Sequence, residues 1–240
     1  MFFSYSAKSS SLFLLGALLC SVSTLSVASI VISGTRVIYP AAQKEVTVKL
    51  SNKGSGPVLI QSWIDNGDID ARPETIKTPF ILTPPINRLD PDKSQTLRLS
   101  YNGATLPANK ESVFWLNVLE IPAKKSGADD KNLLNMAFRS RIKLFFRPGG
   151  LQGNANDAAS ALTWNTTAQG LRATNATPYY VSLVQIGLAG NSQKAGVEGE
   201  MIAPMSSLEF KLPGAGSKNK ISYSAVNDYG AITTHEATVK

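Results

Sequence analysis

The sequence predicts an all-β protein built from two sandwich domains, and three observations predict it. Apolar and polar residues alternate in short, often β-branched runs. Clusters of Gly, Asn, Asp and Pro separate those runs at regular spacing, and no long stretch carries a helical period. Short strands divided by turn signals are the pattern of a sandwich or barrel. No tandem repeat of about 20–50 residues interrupts it.

Residues 1–28 stand apart from this pattern. Lys8 precedes the apolar run from Leu12 to Leu19, and a small, hydroxyl-rich stretch ends in Ser26-Val27-Ala28. A charge, a short apolar core and a small-x-small site predict a secretory signal peptide cleaved after Ala28. The apolar run is shorter than the about 20 residues that a membrane span needs. Cleavage removes Cys20, the only cysteine of the 240 residues. The mature chain then has no disulfide in an oxidising compartment and must rest on its apolar cores. It also loses Lys8, which takes the formal charge from +7 to +6.

Strand signals then follow in order: Val46–Leu50, Val58–Ile64 and Gln95–Tyr101, with turns around Asn52–Pro57, Asp65–Asp68, Thr83–Pro85 and Asn102-Gly103. The next segment, Leu133 to Pro148, alternates over an unusual length. Leu134, Met136, Phe138, Ser140, Ile142, Leu144 and Phe146 share one face; Arg139, Arg141, Lys143, Phe145 and Arg147 share the other. Strands average about 5–6 residues, so this one is long enough to serve a partner along an edge as well as its own core. Arg147-Pro148-Gly149-Gly150 marks a boundary, followed by a small, polar segment from Asn154 to Ser160. Further strand signals lie at Ala161–Asn165, Pro178–Leu188, Leu208–Leu212, Ile221–Val226 and Thr233–Val239. The expected domains are 29–147 and 148–240, about 119 and 93 residues, each the size of one immunoglobulin-like sandwich.

Composition narrows the chemistry. A single histidine, His235, rules out most His-based metal sites and makes a histidine general base improbable, and a single cysteine rules out a Cys-only zinc site. His235 is expected at the surface. Asp65, Asp68 and Asp70 lack the spacing of a calcium loop and read as an acidic turn. Gly214-Ala215-Gly216 is not a nucleotide fingerprint, and no Gly-x-Ser-x-Gly elbow occurs. Basic residues are dispersed and not interleaved with aromatics, which argues against nucleic acid. No metal, cofactor or ATP site is expected.

Residues 106–122 read Leu-Pro-Ala-Asn-Lys-Glu-Ser-Val-Phe-Trp-Leu-Asn-Val-Leu-Glu-Ile-Pro. This resembles the signature of the periplasmic pilus (PapD-like) chaperones, through Pro107, Lys110-Glu111-Ser112, Trp115, Asn117 and Ile121-Pro122. The run Ile142 to Pro148 is similar to the end of that family's first-domain G strand, and Asn227-Asp228-Tyr229-Gly230 to its second-domain motif. Thr83-Pro84-Pro85 with Arg88-Leu89, and Thr177-Pro178-Tyr179-Tyr180, also fit.

The resemblance implies two immunoglobulin-like domains in a boomerang with a cleft between them. Arg36 and Lys143 match the cleft residues that bind the C-terminal carboxylate of a pilin. Leu134, Met136 and Phe138 match the donor-strand residues that fill the open groove of an incomplete pilin. Glu111, Arg147 and Asp228 match an interdomain ionic network, a structural feature. The cysteine-free loop at 123–132 is similar to the type that serves rod-like pili. The function implied is a non-enzymatic periplasmic chaperone that binds, folds and caps pilin subunits and delivers them to an outer-membrane usher, with a self-capping homodimer as a further possibility for the free protein. The alternative reading is a structural pilus subunit or adhesin; two complete β domains without a mature cysteine weigh against it.

Overall fold

The computed structural model describes residues 29–123, 136–190 and 196–240. The signal segment with Cys20, Leu134 and most of the loop at 123–132 lie outside the described residues.

The first sandwich packs two sheets. One orders β1 (Ile30–Ile32), β3 (Glu45–Asn52), β7 (Ser94–Tyr101) and β5 (Phe80–Thr83) as β1-β3-β7-β5. The other orders β2 (Arg36–Pro40), β9 (Phe138–Arg147), β8 (Ser112–Pro122), β4 (Val58–Asp65) and β6 (Ile86–Leu89) as β2-β9-β8-β4-β6. Period-2 alternation sorts each strand: Leu97 and Leu99 point inward while Arg98 between them is exposed. Leu50, Ile60, Leu97, Leu99, Leu116 and Leu144 are fully buried, each worth about 1.5–3 kcal/mol of transfer free energy. Tyr39 closes one end against Phe80 and Phe146, at ring distances of 5.4 and 5.9 Å. Its hydroxyl donates to the Lys44 carbonyl at 2.9 Å and accepts the Tyr101 amide at 3.0 Å, which keeps the buried oxygen satisfied.

The second sandwich pairs β10 (Thr163–Thr167), β11 (Gly170–Asn175) and β15 (Ser206–Phe210) in one sheet. The other runs β13 (Val197–Glu198), β12 (Val181–Leu188), β16 (Lys220–Val226), β17 (Ile232–Thr238), with β14 (Met201–Ile202) also on β12. Trp164, Leu171, Ile186, Ile221 and Tyr223 form its core. A buried asparagine ties the loops of each sandwich. Asn52 donates to the carbonyls of Gly56 and Leu89, both at 2.9 Å. Asn175 donates to those of Tyr179 and Ala203 at 2.7 and 3.1 Å.

The structure departs from the sequence reading in four places. The long alternating strand begins at Phe138, and Met136 and Ala137 before it are not in the strand. A strand at Gly170–Asn175 carries no strong apolar run; Gly170 starts it because a Cβ there would strike the Phe210 carbonyl. Residues 154–160, read as a small, polar segment, are partly packed into the second core. A short 3-10 turn, Ala155–Asp157, is capped by the Asn154 side chain, and Ala158 and Ala159 are buried beneath Tyr223, whose hydroxyl donates to the Ala159 carbonyl at 2.9 Å. His235 is half-buried, not superficial, with its ring stacked on Tyr223 at 5.5 Å.

Candidate cleft between the two domains

β2 runs parallel to β9, and Arg36 stands opposite Lys143. Because β9 turns Leu144 and Phe146 into the core, its alternate residues, Lys143 and Phe145 among them, face outward toward the second domain. Arg36 Nη1 donates to the Val226 carbonyl at 2.9 Å, and its guanidinium lies over the Phe145 ring at 5.7 Å. Its Nε is buried without a partner among the described residues. Lys143 Nζ reaches Ser182 Oγ at 3.4 Å.

Among the described residues, neither cation forms an ion pair. Burial pushes the Lys143 ammonium below the ordinary lysine value, and the neighbouring Arg36 charge pushes it further. Burial also lowers Arg36, partly offset by the more distant charges of Asp228 and Glu111. Two half-buried, mutually repelling cations with spare donors form a site that an anion would stabilise. Beside Arg36 a cavity of about 160 Å³ opens, lined by Gly34, Val37, Val46, Val48 and Ile142 among others.

The expected ionic trio comes together next to these cations. Arg147 Nε donates to Glu111 at 2.6 Å, while its two terminal nitrogens hold Asp228 at 2.7 and 2.9 Å. Glu111, almost fully buried, also accepts the Tyr180 amide at 2.8 Å. Burial alone would lower the Arg147 guanidinium; hydrogen bonds and charge from Asp228 and Glu111 outweigh it and hold Arg147 above the ordinary arginine value. Phe145 packs on Tyr180 at 5.7 Å across the same junction.

One edge of β9 is partly vacant. β8 pairs antiparallel with all of Phe138–Phe146 on one side, but β2 covers only Lys143–Arg147 on the other. Among the described residues, 138–142 therefore present an unpaired edge that ends at Arg36. Beside it, Met136 is 53% exposed and Phe138 57%. Of the three residues matched to a donor strand, these two are described and Leu134 is not.

The sequence reading missed one cluster behind this edge. Asp65, read as a turn acid, is fully buried and pairs with Arg141 through 2.6 and 3.0 Å hydrogen bonds. It also accepts Asn117 Nδ2 at 2.7 Å and the Gly67 amide at 2.8 Å. Arg139 approaches the same carboxylate at 3.6 Å and donates to Asn117 Oδ1 at 2.9 Å. The two guanidiniums stack on Trp63 and Trp115, at 5.0 and 4.6 Å. Burial would raise the Asp65 carboxyl, but these hydrogen bonds hold it below the ordinary value. The usable signal was the two arginines at Arg139 and Arg141 on the outward face of a strand.

Comparison with known proteins shows what the chain is similar to. Residues 29–152 match the family "Pili and flagellar-assembly chaperone, PapD N-terminal domain", and residues 157–237 match "Pili assembly chaperone PapD, C-terminal domain". The chain is 46% identical over 228 residues to chaperone protein FimB/FhaD of Bordetella pertussis, covering 93% of each. It is 46% identical over 218 residues to the probable fimbrial chaperone YadV of Escherichia coli K12, covering 87% of this chain and 89% of that one. Among solved structures, the Pseudomonas aeruginosa CupB2 chaperone superposes with a TM-score of 0.76 at 38% identity, over 88% of this chain and all of that one. The SafB chaperone of Salmonella enterica, solved in complex with the SafA pilin, superposes with a TM-score of 0.73 at 27% identity, over 88% and 96%.

Proposed function

This chain belongs to the PapD-like family of pili assembly chaperones, two immunoglobulin-like sandwiches serving the chaperone–usher pathway, and on that premise we propose how it holds a fimbrial subunit. The subunit's C-terminal strand adds to the vacant edge of β9 at 138–142, in line with β2 and parallel to β9. Its terminal carboxylate lies between Arg36 and Lys143. The observation that carries this reading is the pair of half-buried cations, unpaired among the described residues, at the end of that edge. Charge-assisted hydrogen bonds to a carboxylate are worth about 1.5–3 kcal/mol each and would fix the register of everything upstream. The cavity beside Arg36 gives room for a side chain near the subunit's end.

Leu134, Met136 and Phe138 fill the open groove of the subunit in this reading. Each buried side chain contributes about 1.5–3 kcal/mol before ordering is counted, and methionine suits a surface that accepts several subunits. Cleavage after Ala28 delivers the mature chain, 29–147 and 148–240, to the periplasm, where it hands capped subunits to the usher. No covalent chemistry enters the scheme. Paired free chaperones could cap each other's β9 edge.

Co-expression with a fimbrial subunit and pull-down tests the reading. The natural sequence should give a one-to-one complex, and Arg36→Ala or Lys143→Ala should give none while leaving the melting temperature unchanged. Stable complexes from both variants would sink the carboxylate mechanism.

A further inference from the structure

The turn between β16 and β17 is braced by both domains. Asn227 Oδ1 accepts the amides of Tyr229 and Ala231, both at 3.0 Å, and the Gly230 amide donates to the Asn227 carbonyl at 3.0 Å. The Asp228 amide donates to Asn156 Oδ1 at 3.2 Å, while its carboxylate grips Arg147. Gly230 has φ of 83°, and a Cβ there would sit 2.5 Å from Thr35 Oγ1, so glycine alone lets the turn lie against the neighbour of Arg36.

This rigid turn nevertheless displays apolar surface. Tyr229 is 87% exposed and Ile232 is 63% exposed. Ile232 pairs with Val226 and shares its face of the sheet, and the Val226 carbonyl is the one that receives Arg36. A tyrosine on a braced turn loses little conformational freedom on contact, and such rings are enriched among residues that dominate binding energy.

We propose that Tyr229 and Ile232 form a lip on the second domain that packs against the fimbrial subunit whose carboxylate Arg36 and Lys143 hold. This rests on the carboxylate reading above. Continuity favours that occupant, because the turn touches Thr35 and β16 touches Arg36. A second copy of this chain is the rival occupant, and the crosslinking experiment separates the two.

The test uses the full chain co-expressed with a fimbrial subunit that keeps its own C-terminus. A photoreactive phenylalanine analogue replaces Tyr229, and Tyr229→Ser and Ile232→Ser variants, singly and paired in one chain, are compared in capture. The expected result is a crosslink to the subunit and at least about a tenfold loss of affinity in the paired serine variants, with the free protein's melting temperature unchanged. A crosslink to a second chaperone overturns the proposal. So does unchanged capture by the serine variants while Arg36→Ala abolishes it, a result that leaves the carboxylate reading standing. If Arg36→Ala also captures normally, both fall.

Discussion

Asp65, fully buried, and Lys143, half-buried, are two charges with opposite consequences. Asp65 is satisfied on all sides, so removing its charge leaves Arg141 and Arg139 facing each other. Asp65→Asn should destabilise the first sandwich by about 3 kcal/mol, the lower end for breaking a buried pair, as read by denaturant melting. Its pH signature follows from the lowered carboxyl. The stabilisation is complete above the ordinary carboxylate value and is lost as pH falls through the lower, folded-state value. Asp65→Asn should flatten that acid limb. Among the described residues Lys143 has no such partner, and its ammonium titrates below the ordinary lysine value in the free protein. Binding a carboxylate needs the charged form. Affinity for the subunit should therefore hold at neutral pH and fall as pH rises through the lowered Lys143 value. Lys143→Arg should remove that fall, measured by titrating complex formation from neutral to alkaline pH. The two residues were unequally legible. Lys143 lies in a recognisable run of alternating residues. Asp65 sits in an Asp-Asn-Gly-Asp sequence that reads as a turn, and only the pairing of β4, β8 and β9 brings it to Arg141.

At the scale of the element, β9 divides its length between two roles. Its C-terminal half is locked between β8 and β2, with Leu144 and Phe146 in the core. Its N-terminal half keeps one edge vacant among the described residues and is bolted from behind by Arg139 and Arg141. Met136→Glu and Phe138→Glu change exposed positions, so the free protein should melt as before. Subunit capture should be lost, because a charge cannot enter an apolar groove unpaired. Unimpaired pull-down with both would show that the donor register is misplaced. Alternation alone made this strand visible in the sequence. It could not show where pairing starts, since Met136 and Ala137 continue the pattern without joining the sheet. Nor could it show the vacant edge, which depends on how far β2 extends. The strand at Gly170–Asn175 was hidden for a related reason: its inward residues, Leu171, Ala173 and Asn175, include one small and one polar side chain.

For the whole molecule, the junction is built from few contacts with large charge. Arg147 joins Glu111 of the first sandwich to Asp228 of the second, and Arg36 and Lys143 each hold one second-domain oxygen. Such networks set geometry more than they add stability. Asp228→Ala should leave each sandwich folded but broaden the distribution of interdomain arrangements, seen as a larger radius of gyration by small-angle scattering. Capture should fall with it, since the Val226 carbonyl that orients Arg36 belongs to the same hairpin. An unchanged scattering profile would assign the angle to Phe145 and Tyr180 instead. The two-domain architecture was readable from turn spacing and segment length. The trio was readable only through resemblance, because Glu111, Arg147 and Asp228 are scattered along the chain and carry no shared local pattern.

The short parallel strand β2 has one more consequence. It fills the edge of β9 from Lys143 onward and leaves five residues open, about 16 Å of extended chain. On the proposed reading it acts as an end stop. A subunit that continued past its natural last residue would collide with β2 and bring no carboxylate to Arg36. The chaperone would thus inspect whether its client had been finished, and C-terminally extended or truncated subunits should pass through the periplasm uncaptured.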